Sequence, residues 1–276
     1  VGRRTAELIK YAANAFLATK ITFINEIADL CEKVGADVQD VARGVGMDKR
    51  IGPKFLHAGP GYGGSCFPKD TLALLKTAED YESPVRIVEA VAKVNESRKR
   101  AMGRKVLDAL GGAEAARGKK VALLGLTFKP NTDDMREAPS RVILTELSRR
   151  GAVLKAYDPV ATPQARRVFD GLAGLTFVDD ASSALDGSDA LLIVTEWKEF
   201  KSPDFDALGA ARANAANLPA VLEGMDAMRT RILVTGSVFD NDEKVSIVKR
   251  VLLGLEAVGV ERVRIMPDRF GIGLKA

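Results

Sequence analysis

One stretch of the chain combines the residue types that covalent catalysis needs. Residues 59–70 read Gly-Pro-Gly-Tyr-Gly-Gly-Ser-Cys-Phe-Pro-Lys-Asp, so a cysteine lies among four glycines and beside a lysine and a carboxylate. The glycines allow backbone conformations closed to other residues, and the two prolines stiffen the ends. A thiol attacks only as the thiolate, which the charge of Lys69 would favour, and Asp70 could accept a proton. The stretch therefore predicts a reactive Cys66, with a glycine-rich turn around a packed cysteine as the alternative.

The chain before this stretch is predicted to be helical. Residues 4–35 carry apolar side chains at helical spacing with no proline among them, which indicates one long helix or two joined at a bend. Lys10 and Asn14 are four residues apart, so they project from the same face and could enter one pocket together. A pair that simply faces solvent is the alternative. In the same helix we expect Asn25 on the surface and Cys31 in the core.

Further helices are predicted around and after the cysteine stretch. A short helix capped by Asp37 is expected over 37–45, and another over 70–78, whose N-terminal dipole would favour an anion near Cys66. A second long helix runs from Pro84 to Leu110 and ends at two glycines. Its basic run, 98–100, is interpreted as a solvated face.

The pattern changes after Gly118. Short buried-strand patterns occur at 120–125, 153–159 and 190–195, and a helix is predicted between the first two. Strands that alternate with helices predict an α/β fold with a doubly wound parallel sheet. The predicted organisation is thus a helical central domain over 1–110 and a Rossmann-like domain over 111–276.

Ligands of such sheets bind at the carboxyl ends of the strands, and the loop after the first predicted strand carries suitable groups. Phe128 offers a stacking surface, and Lys129 and Arg136 offer charges for phosphate. The loop lacks the three-glycine spacing of a dinucleotide fingerprint. No zinc-ligand spacing occurs in the sequence, so no metal site is predicted.

Composition restricts the class of protein. A chain of 276 residues with 46% hydrophobic residues favours two globular domains. Its 41 basic and 37 acidic residues are interspersed, which gives no nucleic-acid signature. Two cysteines exclude a disulfide scaffold and fit a reduced compartment. No apolar run is long enough to cross a membrane, and residues 1–10 lack a signal-peptide layout, so we expect a cytoplasmic protein without membrane contact.

The single histidine of the chain raises a different hypothesis. His57 lies nine residues before Cys66, so a Cys–His dyad of a cysteine hydrolase has to be considered. Both residues fall on one loop, and no Asn or Asp partner is marked by spacing. The hydrolase is therefore the weaker hypothesis.

With these motifs placed, the chain closely resembles the UDP-glucose 6-dehydrogenase family, within the wider group of nucleotide-sugar dehydrogenases that includes the GDP-mannose enzymes. The match runs from about Arg4 to Leu208, and its most specific motif is the cysteine stretch. Phe67 makes that motif more similar to the UDP-glucose enzymes than to the GDP-mannose ones. The supporting motifs lie in order at 7–14 (Glu-Leu-Ile-Lys-Tyr-Ala-Ala-Asn), 46–52 (Gly-Met-Asp-Lys-Arg-Ile-Gly) and 125–136 (Gly-Leu-Thr-Phe-Lys-Pro-Asn-Thr-Asp-Asp-Met-Arg).

The resemblance implies an NAD-dependent, two-step oxidation of UDP-glucose to UDP-glucuronate. Cys66 would attack the intermediate aldehyde to give a thiohemiacetal, and the thioester formed from it would be hydrolysed to the acid. Lys10 would stabilise oxygen charge in the tetrahedral species, and Asn14 would help to hold the oxygen or the water. Asp70 would accept protons and activate that water.

The resemblance also implies binding residues and a partner. Lys69 and Arg136 match positions that contact NAD, and Arg50 matches an arginine that reaches into the neighbouring subunit's site, which implies a homodimer. His57 becomes a pocket residue rather than a catalytic base. The expected nucleotide-sugar contacts are Arg50, Phe55, Leu56, His57, Ala58, Gly59, Gly63, Phe128 and Lys129.

Two departures from the family pattern limit what the resemblance implies. The family has an N-terminal Rossmann domain with the NAD fingerprint before the first helix, and this chain begins inside that helix. A non-catalytic module that dimerises and binds a nucleotide sugar is therefore the alternative. Near the other end, Ser237 occupies the position of a family arginine that binds the nucleotide sugar, and we assign no role to residues 209–276.

Overall fold

The computed structural model describes residues 1–201 and 231–234, and its first part is helical as predicted. The long helix is continuous and ends at Gly35, whose left-handed φ of 74° suits a glycine. The helix after it is capped by Asp37, whose side chain accepts a hydrogen bond from the Gln39 N–H. The four helices of this part are α1 (Arg3–Val34), α2 (Val38–Gly46), α3 (Cys66–Asp80) and α4 (Arg86–Ala109).

The predicted start of α3 at Asp70 is wrong, because the helix begins at Cys66 itself. Pro68 lies in the first turn of the helix, where backbone N–H groups have no partner within the helix. The cysteine is therefore held at the N-terminus of α3 and not on a loop before it.

The predicted surface positions of Asn25 and of two residues in the basic run on α4, Arg98 and Lys99, are also wrong, whereas Arg100 is exposed as expected. Asn25 is 2% exposed, Arg98 4% and Lys99 1%. Helix α4 packs against α1, α3 and a helix of the second part of the chain, and Arg98 and Lys99 fall on its packed sides. Cys31 is buried, as expected.

The second part of the chain is a parallel sheet with interleaved helices. The five strands within the described residues have the order β3-β2-β1-β4-β5. The strands predicted from the sequence are confirmed, whereas the three-residue β3 was not predicted, because so short a strand leaves no pattern. The elements are β1 (Lys120–Leu124), α5 (Pro139–Arg149), β2 (Val153–Tyr157), α6 (Thr162–Val168), β3 (Leu175–Phe177), α7 (Ala181–Leu185), β4 (Ala190–Ile193), α8 (Lys198–Lys201) and β5 (Arg231–Val234).

Apolar clusters cover both faces of this sheet, which confirms the doubly wound fold. Leu123 packs on one face with residues of α4 and α5. Its neighbours Ala122 and Leu124 point to the other face and pack against α7 and Phe200 of α8. The chain order reverses between β1 and β4, and such a reversal opens a crevice at the carboxyl ends of the two strands. In the part of the chain that the structure describes, no helix is long and apolar enough to span a membrane.

Candidate active site

Cys66 occupies an exposed position at the first residue of α3. Its sulfur lies 3.8 Å from the Ser65 hydroxyl oxygen. Backbone N–H groups of the first helical turn, and the positive end of the helix dipole, lie beside it. Cys31 differs in both respects, because it is buried and because burial, together with the charge of Asp37, raises the pKa of its thiol.

A buried carboxylate lies one helical turn after the cysteine. The side chain of Asp70 is fully enclosed, and its Oδ2 accepts a 2.5 Å hydrogen bond from the Asn14 amide. The ammonium of Lys69 binds the other carboxylate oxygen, and Lys10 Nζ lies 3.9 Å from Oδ2. The structure thus brings together all four residues that the motifs had singled out around the cysteine.

The charges around Asp70 decide its protonation. Burial by itself would raise the pKa of Asp70, but hydrogen bonds from Lys69 and Asn14 and the charges of Lys10 and Lys69 outweigh it, so the pKa lies below its ordinary value. The same hydrogen bond raises the pKa of Lys69. The carboxylate of Asp70 and the ammonium of Lys69 therefore remain charged together at neutral pH.

A cavity of about 490 Å³ opens on one side of the cysteine stretch, between the helical part and the sheet. Its helical wall is aromatic, because the ring of Phe67 meets those of Phe55 and Tyr62 edge-on at centroid distances of 6.0 and 5.9 Å. Its other wall is the crevice between β1 and β4. The lining includes seven of the predicted nucleotide-sugar contacts, namely Phe55, His57, Ala58, Gly59, Gly63, Phe128 and Lys129.

The remaining two predicted contacts lie elsewhere. Leu56 is buried in the apolar cluster between α1 and α2, so its side chain does not face a ligand. Arg50 is exposed, and its guanidinium binds both oxygens of Asp48. It does not line the cavity of its own chain.

A second cavity, of about 540 Å³, lies on the other side of the same stretch. Both predicted NAD contacts, Lys69 and Arg136, line it, and Arg141 adds a third cation. Tyr62 lines both cavities, so the cysteine stretch forms the partition between them.

Three buried polar side chains that the sequence reasoning missed hold this partition in place. Asn25 accepts a hydrogen bond from the Gly59 N–H at 2.7 Å, and Arg98 Nε donates to the Gly59 carbonyl at 2.9 Å. Asn95 accepts from the Tyr62 N–H at 2.8 Å and donates to the Tyr62 carbonyl at 3.1 Å. Asn95 could have been found from the sequence, because it interrupts the apolar face of α4 between Val91 and Met102.

The second part of the chain closes directly on the partition. The Gly64 N–H donates to the Arg136 carbonyl at 2.7 Å. A Cβ atom at Gly63 would lie 2.4 Å from the Glu137 carbonyl oxygen, and one at Gly64 would lie 2.7 Å from the Phe128 ring. These two glycines are therefore required for the contact itself, since any side chain would push the loop of Phe128 away.

Comparison with known proteins assigns the family. The central domain of the UDP-glucose/GDP-mannose dehydrogenase family matches residues 4–97, and the UDP binding domain of the same family matches residues 122–225. The chain belongs to this family. The two matches cover the helical part with Cys66 and the sheet with Lys129, which confirms the resemblance drawn from the motifs.

Individual members of the UDP-glucose/GDP-mannose dehydrogenase family are also similar. UDP-glucose 6-dehydrogenase of Rhizobium meliloti (strain 1021) is 63% identical over 206 residues, which are 75% of this chain and 46% of that protein. UDP-glucose 6-dehydrogenase YwqF of Bacillus subtilis (strain 168) is 52% identical over 72% of this chain and 44% of its own length. The structure of a UDP-glucose dehydrogenase from Pyrobaculum islandicum is 42% identical, with a TM-score of 0.68, over 73% of this chain and 46% of that one. The chain thus spans about half the length of these relatives.

Proposed function

We propose that this chain carries the catalytic cysteine and the sugar-nucleotide pocket of an enzyme that oxidises UDP-glucose to UDP-glucuronate with NAD. The observation that carries the proposal is the partition. The predicted sugar-nucleotide contacts line the cavity on one side of the cysteine stretch, and the predicted NAD contacts line the cavity on the other. Cys66 itself lines neither cavity, but it lies between Ser65, which lines the second, and Phe67, which lines the first. We propose that a substrate carbon reaches its thiol from one side and that the hydride leaves toward the other.

The residues near Cys66 suit the covalent steps. The thiolate adds to the aldehyde carbon, and the resulting oxyanion is stabilised by the ammonium of Lys10, which is 62% exposed and therefore free to approach it. After hydride loss a thioester remains, and a water molecule oriented by Asn14 and Asp70 attacks its carbonyl carbon. Collapse of that tetrahedral species releases the carboxylate and returns the thiol.

The proposed binding of NAD rests on the positive charges that line the second cavity. Lys69 and Arg136 are exposed cations, which is what a dinucleotide pyrophosphate requires. NAD supplies the hydride acceptor when it is bound. The part of this chain would be to hold the phosphates and to fix the sugar carbon at Cys66.

The rival proposal is that this chain alone is a nucleotide-sugar-binding module without activity. The chain is mixed with UDP-glucose and NAD, and NADH absorbance is followed, both alone and after fusion to an N-terminal Rossmann domain. We expect a signal from the fusion only. A fusion that binds UDP-glucose in calorimetry and yields no NADH would support the module, and a chain that binds no UDP-glucose would refute both proposals.

Two further alternatives are distinguished by a comparison of ligands and by one variant. Tighter binding of GDP-mannose than of UDP-glucose would identify a GDP-mannose 6-dehydrogenase. The cysteine hydrolase predicts that His57→Ala abolishes the reactivity of Cys66. The dehydrogenase predicts that Cys66 still alkylates in that variant, because His57 lies on the cavity wall.

The homodimer belongs to the same proposal. Four apolar residues of α1 recur at intervals of seven and are exposed in the single chain: Ile9 by 56%, Phe16 by 66%, Phe23 by 47% and Leu30 by 54%. A seven-residue apolar repeat on one helix is the pattern that pairs helices. A second copy of α1 would cover it.

A further inference from the structure

One carboxylate at the carboxyl end of β2 accepts an unusual number of hydrogen bonds. Asp158 is 2% exposed. Its Oδ1 accepts from the N–H groups of Val160 at 3.0 Å and Ala161 at 2.8 Å. Its Oδ2 accepts from the Leu126 N–H at 2.7 Å and from the indole N–H of Trp197 at 3.1 Å. An ionised carboxylate only accepts hydrogen bonds, so it suits a position that is surrounded by donors.

The donors come from three different loops. Leu126 follows β1, Val160 and Ala161 follow β2, and Trp197 follows β4. These loops emerge at the same edge of the sheet, where neighbouring strands are parallel. Asp158 therefore ties the loops on both sides of the crevice between β1 and β4.

Two of the tied loops are the sheet-side wall of the cavity for the nucleotide sugar. Residues 127–130 and 194–196 line that cavity, whereas Asp158 and Trp197 do not. Two carbonyl groups of the loop after β1 also accept hydrogen bonds. The Ser140 hydroxyl donates to the Leu126 carbonyl and the Thr195 hydroxyl donates to the Thr127 carbonyl, each at 2.5 Å. The backbone that carries Lys129 is thus fixed from two sides.

We infer that Asp158 is a positioning residue for nucleotide recognition, an inference that rests on the proposed function. Asp158 fixes the spacing between the Lys129 loop and the 194–196 loop without touching the ligand. Its loss widens or tilts this wall, so nucleotide affinity falls. Cys66 does not line this cavity, and its reactivity is unchanged.

The test compares Asp158→Asn with Asp189→Asn as a matched control. Asp189 is also an acceptor on this sheet, but it lies at the amino end of β4, where it accepts from Lys119 Nζ at 2.9 Å and from the Lys120 N–H at 2.8 Å. Calorimetry with UDP measures affinity, and thermal melting measures stability. We expect UDP to bind Asp158→Asn about tenfold more weakly, since a hydrogen bond to a charged group is worth that or more. Asp189→Asn should lose stability without loss of affinity.

The single tryptophan of the chain gives an independent signal. Because its indole N–H binds Asp158 directly, Trp197 emission should change in Asp158→Asn and match the wild type in Asp189→Asn. If Asp158→Asn does not fold, Trp197→Phe removes one donor to the same oxygen and should weaken UDP binding about threefold.

Each outcome of these measurements either supports or overturns the inference. Unchanged UDP affinity in folded Asp158→Asn, or equal losses in the two aspartate variants, would overturn the inference. For a chain in which Asp158→Asn is unfolded, unchanged affinity in Trp197→Phe would overturn it. Failure of the wild-type chain to bind UDP would instead refute the proposed function, and the inference would fall with it.

Discussion

At the scale of single residues, the two cysteines of the chain occupy opposite environments. Cys66 is exposed at a helix N-terminus, and Cys31 is 5% exposed in the cluster between α1 and α2. Position thus separates an accessible thiol from a packed one, which is the difference that the sequence predicted.

This difference predicts the outcome of thiol labelling. Iodoacetamide at pH 8 should modify one thiol rapidly, and peptide mass spectrometry should locate it at Cys66. Cys31 should react only after denaturation, because burial both hides it and raises its pKa. Cys66→Ser should lose the fast phase, whereas Cys31→Ser should retain it. Rapid modification of Cys31 in the native chain would contradict this assignment.

Asp70 predicts a pH dependence of stability. Its folded pKa lies below the ordinary 3.8, so its ionised form stabilises the fold above that pH and this contribution is lost as the pH falls through the folded pKa. Asp70→Asn should lower the free energy of unfolding by about 1–3 kcal/mol at pH 7, because charged hydrogen bonds are lost.

Urea denaturation between pH 7 and pH 3 measures the effect. The difference between the wild type and Asp70→Asn should be constant near neutral pH and shrink in the acid range. Asp133→Asn, at an exposed aspartate of the second part, should differ from the wild type by less than about 0.5 kcal/mol. A difference that grows on acidification would show that the pKa of Asp70 is raised instead.

At the scale of elements, the side chain of Asn95 pairs with the backbone of a loop in the way that a neighbouring strand would. Its side-chain amide donates to and accepts from the backbone of Tyr62, which lies in the partition between the two cavities. Helix α4 thereby fixes the loop at Tyr62, a position that belongs to neither a helix nor a strand.

Asn95→Ala should loosen the partition. Two buried backbone groups of Tyr62 lose their partner, at a cost of about 1–3 kcal/mol each, so hydrogen exchange of the Tyr62 amide should accelerate at least about tenfold. Hydrogen–deuterium exchange followed by mass spectrometry reports this for peptides that span residues 59–66. Ser97→Ala, at an exposed position of α4, is the control and should leave exchange unchanged. Unaltered exchange in Asn95→Ala would mean that other contacts hold the loop.

The helices and strands show which parts of the fold could be predicted from the sequence. Helices α1 and α4 and the strands β1, β2 and β4 were found because their periodicity is local. The grouping of Lys10 with Asn14 followed from helical spacing, and their meeting with Asp70 is now a structural fact.

Burial of polar residues was not predictable in the same way. Arg98 and Lys99 look like a solvated run until α1 and the second part of the chain are packed on α4, where Arg98 pairs with Asp29 and Lys99 lies 3.7 Å from Glu137. The role of Asp158 in joining the loops gave no signal either, since the donors to its Oδ2 come from loops 31 to 39 residues away along the chain. Such contacts depend on the assembled fold and not on neighbouring sequence.

At the scale of the whole molecule, the cysteine stretch is held by elements that are distant along the chain. Side chains of α1 and α4 hold the partition on the side of the helices, and the backbone of residues 136–137 contacts it on the side of the sheet. Arg50 remains outside the cavity of its own chain, paired with Asp48. In a homodimer that joins two copies of α1, the same arginine would be available to the neighbouring site.

The apolar repeat on α1 therefore predicts a dimer that charge can break. The double variant Phe16→Glu/Phe23→Glu should sediment as a monomer in analytical ultracentrifugation, while the unaltered chain sediments as a dimer, because four glutamates would face one another in a buried seam. Val160→Glu, at a half-exposed apolar residue of the sheet part, is the matched control and should stay dimeric. If Arg50 serves the partner's site, the monomeric variant should also bind UDP-glucose more weakly while Cys66 keeps its labelling rate. A wild-type chain that is monomeric at all concentrations would remove both the dimer and this role of Arg50.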